Sequence, residues 1–70
     1  MMPLTMAKAG TTNCIVRISG KDEQKRHLEN LGFVAGEEVT IVSEIGGNLI
    51  TSVKGVRIAL DKKTANRIMI

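Results

Sequence analysis

Glycine residues divide this chain into short segments, and that division constrains the fold more than any other feature. Glycine occupies positions 10, 20, 32, 36, 46, 47 and 55 of the 70 residues. Glycine adopts turn conformations with positive φ at little steric cost, so each position is a candidate turn. Short segments between frequent turns are typical of a small β-barrel. The sequence therefore predicts one mainly-β domain over residues 1–70.

Length and composition limit what such a domain can do. A chain of this size buries only about 60% of the surface that its unfolded form exposes, which leaves one layer of core side chains and no deep cleft. No apolar run approaches the roughly 18 residues of a membrane span, and residues 1–8 lack the pattern of a signal peptide. A single cysteine, Cys14, fits a reducing compartment. We expect a cytoplasmic domain that does not itself span a membrane.

The charge and the aromatic content narrow the classes of partner. The formal net charge is +3, from ten Lys or Arg against seven Asp or Glu, which fits a nucleic acid, an acidic protein surface or simple solubility. Phe33 is the only aromatic residue. Single-stranded nucleic acids and proline-rich peptides are bound on several aromatic side chains, which this chain does not have. A nucleic-acid partner is therefore not expected.

The pattern predicts one α-helix over residues 21–31. Ser19 and Asp22 have the spacing of a capping box, and Gly32 can end the helix in a left-handed conformation. The predicted apolar face is narrow and consists of Gln24, Leu28 and Leu31. Such a helix covers one end or edge of a barrel and forms no core of its own.

Five strands complete the predicted fold. The first is residues 14–18, with Cys14, Val16 and Ile18 on its buried face. In the second, over residues 37–45, Val42 interrupts the alternation, which a bulge or a doubly buried stretch would explain. Gly46–Asn48 and Lys54–Gly55 are predicted hairpin turns, and the remaining strands follow at residues 49–53, 56–60 and 68–70.

Short helical turns are predicted near residues 5–8, capped by Thr5, and near residues 62–66, capped by Asp61. Five short strands, with one helix between the first two, describe a small SH3-like barrel. An OB-fold barrel is the competing architecture, but its helix usually falls later in the chain.

Several segments resemble one known family in the right order. LGFVAGEEV at positions 31–39 resembles the LG-[LF]-x-PG-x-x-V signature of the FeoA domain, ferrous iron transport protein A, and KRHLEN at 25–30 resembles its preceding basic helix. VKGVRIAL at 53–60 resembles V-x-G-x-R-[IL]-A-L, and ANRI at 65–68 matches the A-x-x-I close. LTMAKAG at 4–10 resembles the opening L-S-x-L-x-PG. Ala9 and Ala35 stand where the family usually has proline, and Ala7 where it often has leucine.

The resemblance implies an SH3-like barrel and an accessory, non-enzymatic role in bacterial ferrous iron uptake. The implied partner is the membrane transporter FeoB, through its cytoplasmic GTPase region. The family has no established catalytic residue and no agreed metal site, so the resemblance implies none here. The residue types are consistent with the absence of a catalytic site, because the single His and the single Cys lack the third side chain that a nucleophile–base arrangement needs. Whether the chain forms a homo-oligomer is left open.

The candidate metal ligands are weak. His27 is the only histidine, and Glu23, four residues before it, is the acid that helical geometry would bring near it. Non-haem Fe²⁺ favours two His and one carboxylate, so this pair is a poor site and would support only weak Fe²⁺ association. Cys14 is interpreted as a small core residue, because a lone buried cysteine usually behaves as one. We therefore expect no cofactor and no resident metal.

The candidate partner-binding residues are basic. Lys25 and Arg26 lie on the predicted helix and Arg57 on a predicted strand, and the fold could bring them together. A solvated surface is the simpler reading, because the ten basic residues are dispersed along the chain. Arg57 also matches the family pattern, which could equally reflect a structural salt bridge.

Two other functions compete with the transporter accessory. The first is a regulatory SH3-like domain related to metal-dependent repressors, in some of which an acidic residue and a Gln at the helix start complete a metal site. Gln24 matches that Gln, but Lys21 takes the acidic position. The second is a small RNA- or ribosome-binding β-barrel, which only the +3 charge supports.

Overall fold

Strands dominate the structure, a computed structural model that describes residues 1–20 and 22–70. Six strands are found in that part of the chain: β1 (Thr12–Cys14), β2 (Arg17–Ile18), β3 (Glu38–Ile45), β4 (Asn48–Val53), β5 (Val56–Asp61) and β6 (Ile68–Met69). Two helices, α1 (Glu23–Leu31) and α2 (Lys62–Ala65), and a 3₁₀ turn at Leu4–Met6 accompany them.

The strands form two antiparallel sheets and not one closed barrel. β1, β3, β4 and β5 form a four-stranded sheet in that order, and β2 pairs with β6 in a second sheet. The mainly-β prediction is therefore confirmed, whereas the closed, five-stranded barrel is wrong, because the described residues form six strands in two open sheets. Helix α1 follows β2, which is the second half of the strand predicted over residues 14–18, and precedes β3.

The predicted first strand is divided because the chain changes sheets within it. The Ile15 amide donates to the Glu37 carbonyl beside β3, whereas the next amide, of Val16, donates to Met69 in β6. This change of partner breaks the predicted alternation: Ile15 is buried and Cys14 and Val16 are exposed, against the prediction, whereas Ile18 is buried as predicted. The interpretation of Cys14 as a core residue is therefore wrong.

The two predicted hairpins are present. β3 and β4 are joined by Gly46 and Gly47, and both have positive φ. β4 and β5 are joined by Lys54 and Gly55, with φ of 52° and 78°. The register shifts between Ile41 and Ser43, so of the two explanations for the interruption at Val42 the structure favours the bulge.

Lys54 holds a left-handed conformation that disfavours most side chains, whereas asparagine tolerates it. We expect Lys54→Asn to stabilise the protein by roughly 0.5–1 kcal/mol, because asparagine is preferred in such two-residue hairpin turns. The lost ion pair with Glu37, at 3.7 Å on the surface, contributes little. Urea denaturation would measure the change. Lys63→Asn, the same substitution on exposed α2, is the control, and an equal response of the two variants would contradict the argument.

Helix α1 is capped by Asp22 rather than by Ser19. The Asp22 carboxylate accepts a hydrogen bond from the Lys25 amide at 3.3 Å, and the helix ends at Gly32 with φ of 111°. The predicted start at Lys21 lies outside the described residues. On the predicted apolar face only Leu28 is buried, while Gln24 and Leu31 are exposed.

The shorter helical turns differ in detail. The N-terminal turn is a 3₁₀ turn that starts one residue earlier than predicted, and Thr5 lies within it instead of capping it. Its hydroxyl donates to the Asn66 side chain at 2.6 Å, which ties the turn to the end of α2. Asp61 caps α2 as predicted, because its carboxylate accepts from the Thr64 amide at 2.7 Å.

Both sheets and α1 contribute to one core. Phe33, two residues after the end of α1, is fully buried there. Thr51 is the buried polar residue within the described part of the chain, and its hydroxyl donates to the Ile58 carbonyl at 2.7 Å. The apolar core residues are Leu4, Ile15, Ile18, Leu28, Phe33, Val39, Ile41, Leu49, Val53, Leu60, Ala65 and Ile68.

Candidate binding groove

An open groove of about 420 Å³ lies where β2 leads into α1. Strand β2 and the segment after it supply one side, α1 supplies the second, and the loop after Phe33 supplies the third. The lining residues are 17–20, Lys25, Glu29 and Ala35. The buried part of this lining is Ile18, whose side chain belongs to the core, so the groove rests on the packed interior.

A contact between distant parts of the chain holds one end of this groove. The Arg67 guanidinium donates to both Asp22 carboxylate oxygens, at 3.0 and 3.2 Å. The Arg67 carbonyl also accepts a hydrogen bond from the Ser19 amide at 2.6 Å. Gly20 makes room for this contact, because a Cβ there would lie 2.6 Å from Arg67 Nη1. We call this cluster of Asp22, Arg67 and Gly20 the brace.

Asp22 therefore has two roles that converge on the groove. Its carboxylate caps α1 and also receives the bidentate hydrogen bonds of Arg67. Because α1 supplies Lys25 and Glu29 to the groove, fixing the start of α1 fixes these two side chains relative to β2. The lining carries two positive charges, from Arg17 and Lys25, and one negative charge, from Glu29. The groove is therefore suited to a polar, weakly acidic segment with some apolar surface.

The brace predicts an acid dependence of stability. Hydrogen bonds from Arg67 lower the pKa of Asp22 below its usual 3.8, and hydrogen bonds from Thr64 lower the pKa of Asp61 in the same way. A carboxyl whose pKa is lower in the folded state contributes stability above its unfolded pKa and loses it as pH falls through the folded pKa. We therefore expect the urea concentration at the unfolding midpoint to decrease as the pH is lowered below about 4.

Substitution of both carboxyls by amides tests the source of this acid dependence. Asp22→Asn with Asp61→Asn keeps two good helix caps and removes both titrations. We expect this variant to lose less of its urea midpoint between about pH 5 and about pH 2.5 than the parent protein does. An equal loss in the two proteins would assign the acid sensitivity to other carboxyls.

The structure separates the three basic partner-binding candidates. Lys25 lines the groove, and Arg26 is exposed next to it on α1. Arg57 is exposed on β5 and is not part of the groove. Arg57 forms no ion pair with any of the described residues, so the structural salt bridge considered for it is not found there.

The metal candidates are not assembled into a site. His27 and Glu23 are both exposed on α1, and Cys14 is exposed on β1. Across residues 1–20 and 22–70, no group of three or more His, Cys, Asp or Glu side chains is placed to hold a metal ion. A single His–Glu pair and an isolated thiol do not fit the donor sets that Fe²⁺ or Zn²⁺ prefer.

Sequence reasoning did not identify most of the groove. The sequence predicts a strand at Arg17, but the position of this residue opposite α1 depends on β2 pairing with β6. Arg67 lies 45 residues from Asp22, and no local spacing connects them. The one available signal was Gly20, because a glycine just before a helix can mark a close approach of another side chain.

Within the described residues, no helix has the length and apolar character needed to cross a membrane. The most substantial helix, α1, has nine residues, four of them charged.

A family model and solved structures both relate this chain to the same proteins. The model of the FeoA domain matches residues 2–70. A solved iron uptake regulatory protein, FeoA, is 31% identical, with a TM-score of 0.88 over 97% of this chain and 90% of that one. FeoA of Stenotrophomonas maltophilia, solved in complex with zinc as an SH3-domain protein, is 32% identical, with a TM-score of 0.87 over 99% and 88% of the two chains.

A manganese-dependent transcriptional repressor is similar in fold alone, with 20% identity and a TM-score of 0.82 over 94% of this chain and 38% of the repressor. A search of curated proteins finds no match. The family model spans nearly the whole chain, and solved FeoA structures share its fold, so the resemblance found in the sequence is confirmed. This chain belongs to the FeoA domain family.

Proposed function

We propose that this protein is a non-enzymatic accessory of ferrous iron uptake that acts in the cytoplasm by binding the GTPase region of an FeoB-type transporter. Membership of the FeoA family over residues 2–70 is the observation that carries this proposal. Direct chemistry is not part of it. The described side chains supply a shaped surface, and no group of three or more His, Cys, Asp or Glu among them is placed to hold a metal ion.

The groove and the adjoining surface of α1 are the proposed contact region. The groove offers a concave surface beside Lys25, and Arg26 extends the positive charge along the exposed side of the helix. An acidic segment of the partner would be attracted to these charges, and the buried Ile18 beneath the groove ties its wall to the core. The brace keeps this surface in one arrangement before binding, which lowers the ordering cost of association.

Charge reversal tests the proposed surface. We expect Lys25→Glu with Arg26→Glu to weaken binding to the transporter's isolated GTPase region by at least about tenfold, because attraction becomes repulsion at the contact. Chemical-shift titration of the labelled protein would measure the affinity and locate the contact. In the parent protein the largest shifts are expected at residues 17–20 and in α1.

The matched control is Lys8→Glu with Lys63→Glu, which makes the same charge change on exposed side chains outside the groove and breaks none of the ion pairs found among the described residues. It is expected to bind within about twofold of the parent protein. No shift of any resonance at saturating partner would refute the transporter accessory role. Shifts confined to α2 or to the hairpin ends, with normal affinity, would refute the groove while leaving the partner in place.

The repressor-related function is the second candidate, and the shared fold is the observation that favours it. Gln24 is exposed on the first turn of α1, and the position aligned with the repressors' acidic residue, Lys21, lies outside the described residues. The RNA-binding alternative still depends on net charge alone. It requires RNA affinity that falls steeply with salt, so the absence of binding at low salt would remove it.

A further inference from the structure

Strand β5 forms an open edge of the four-stranded sheet. It pairs with β4 from Val56 to Asp61, and no other strand of the described residues lies along its outer side. Four of its residues are exposed, including Arg57, Ala59 and Asp61. A free edge of six residues is a template for a further strand, which native proteins usually cover or interrupt. β5 has no proline or glycine to interrupt it.

The register shows which backbone groups of β5 point outward. The two-residue turn at Lys54–Gly55 makes Val53 and Val56 a hydrogen-bonded pair, and such pairs alternate along an antiparallel ladder. Val56, Ile58 and Leu60 therefore direct their backbone groups to β4. Arg57 and Ala59 direct theirs away from the sheet. Within the described residues, neither makes a backbone hydrogen bond outside the β4–β5 ladder.

We propose that β5 pairs antiparallel with β5 of a second copy of this chain, centred on Ala59. In this register Ala59 faces Ala59 of the other copy across a two-fold axis, and Arg57 faces Asp61. The backbone N–H groups of Arg57, Ala59 and Asp61 all point away from β4. Backbone hydrogen bonds between the two copies can therefore form at the Ala59 pair and on both sides of it. The proposal concerns self-association and does not depend on the transporter.

The side chains suit a second copy better than an unrelated strand. Arg57, Ala59 and Asp61 alternate along β5 and share its solvent face, while Leu60 faces the core. The two-fold register thus places opposite charges directly across the strands twice, once at each end. The small Ala59 side chain lies at the axis, where two bulky or charged groups would collide. Asp61 also caps α2, but a carboxylate has enough acceptor sites for both contacts.

The contact is small, so a weak dimer is expected. Six residues a side bury less than the roughly 1,200 Å² of a stable interface, which corresponds to a dissociation constant in roughly the micromolar to millimolar range. Self-association should therefore depend on concentration, and the free edge should be exposed in dilute solution.

Concentration-dependent amide exchange provides a direct test on the intact protein. Between roughly 10 µM and 1 mM, the amides of Arg57 and Ala59 should gain protection. Ile58 lies between them but already bonds to β4, so its amide serves as an internal control. Sedimentation over the same range should show the dimer. In a mixture of labelled and unlabelled protein, an intermolecular contact between the α-protons of Ile58 and Leu60 would fix the register.

Charge exchange tests the pairing of side chains. Arg57→Asp places two carboxylates opposite each other and should weaken the dimer at least about tenfold. Arg26→Asp makes the same charge change on α1 and should leave it within about twofold. Asp61→Lys should also fail to self-associate, because it opposes Arg57 with a second cation. An equimolar mixture of Arg57→Asp and Asp61→Lys restores opposite charges at both ends and should dimerise.

Ala59→Lys is a second, independent variant, since it leaves the α2 cap intact and places two lysines at the axis. It should remain monomeric at about 1 mM with an unchanged circular dichroism spectrum. A parent protein that is monomeric at that concentration, without protection of Arg57 and Ala59, would overturn the proposal. So would a dimer insensitive to Arg57→Asp and Ala59→Lys, or protection that appears only when the transporter's GTPase region is added.

Discussion

Phe33→Ala is expected to remove a large part of the protein's unfolding free energy. Phe33 is fully buried at the junction of α1 with the sheets, and its amide donates to the Leu28 carbonyl at 3.0 Å. Removing a buried phenylalanine costs about 3–5 kcal/mol. A domain of this length has a total stability of roughly 3.5–10 kcal/mol, so the loss ranges from about a third of the total to all of it.

Substitutions of graded size would show how much of this cost comes from the cavity that the lost phenylalanine ring leaves in the core. Phe33→Leu keeps much of the apolar volume and should cost less than Phe33→Ala, while Val56→Ala removes apolar atoms from a side chain that is 56% exposed. Urea denaturation would measure each cost in unfolding free energy, which we expect to be largest for Phe33→Ala, smaller for Phe33→Leu and smallest for Val56→Ala. A fully folded Phe33→Ala protein with an unchanged midpoint would show that Phe33 does not hold the core together.

Leu28→Ala is expected to have the second largest effect, about 2–5 kcal/mol. Leu28 is the buried side chain of α1 among the described residues, and it is 1% exposed. Its loss removes the main apolar attachment of the helix that supplies Lys25 and Glu29 to the groove. In the Leu28→Ala variant, only the brace and the chain connection through Gly32 would hold α1 against the rest of the protein.

The helix offers a matched control for this prediction. Leu31→Ala deletes the same atoms from the same helix, but Leu31 is 37% exposed, so the expected cost is below about 1 kcal/mol. Urea denaturation measures the global loss, and amide exchange in α1 against that in β4 shows whether the helix detaches first. Equal costs for the two leucines would contradict the assignment of Leu28 as the anchor.

The candidate site was predicted only in part, for an identifiable reason. Lys25 and Arg26 are candidates because both lie on the predicted helix, and Lys25 lines the groove while Arg26 is exposed beside it. Arg17 was not assigned to the groove, because its position there depends on β2 pairing with a strand about fifty residues later. The proposed convergence of Arg57 with the helix charges is not seen in the groove lining, since β5 lies at the far edge of the other sheet.

Features that a few neighbouring residues control could be predicted from the amino-acid sequence. Glycine φ preferences placed both hairpins, broken alternation indicated the irregularity at Val42, and the motif at positions 31–39 identified the family. Only the folded chain shows which sheet each strand joins, which face of residues 14–18 is buried, and where Arg67 binds. These depend on partners distant in the chain, and alternation is uninformative where a segment leaves one sheet for another, as at Ile15.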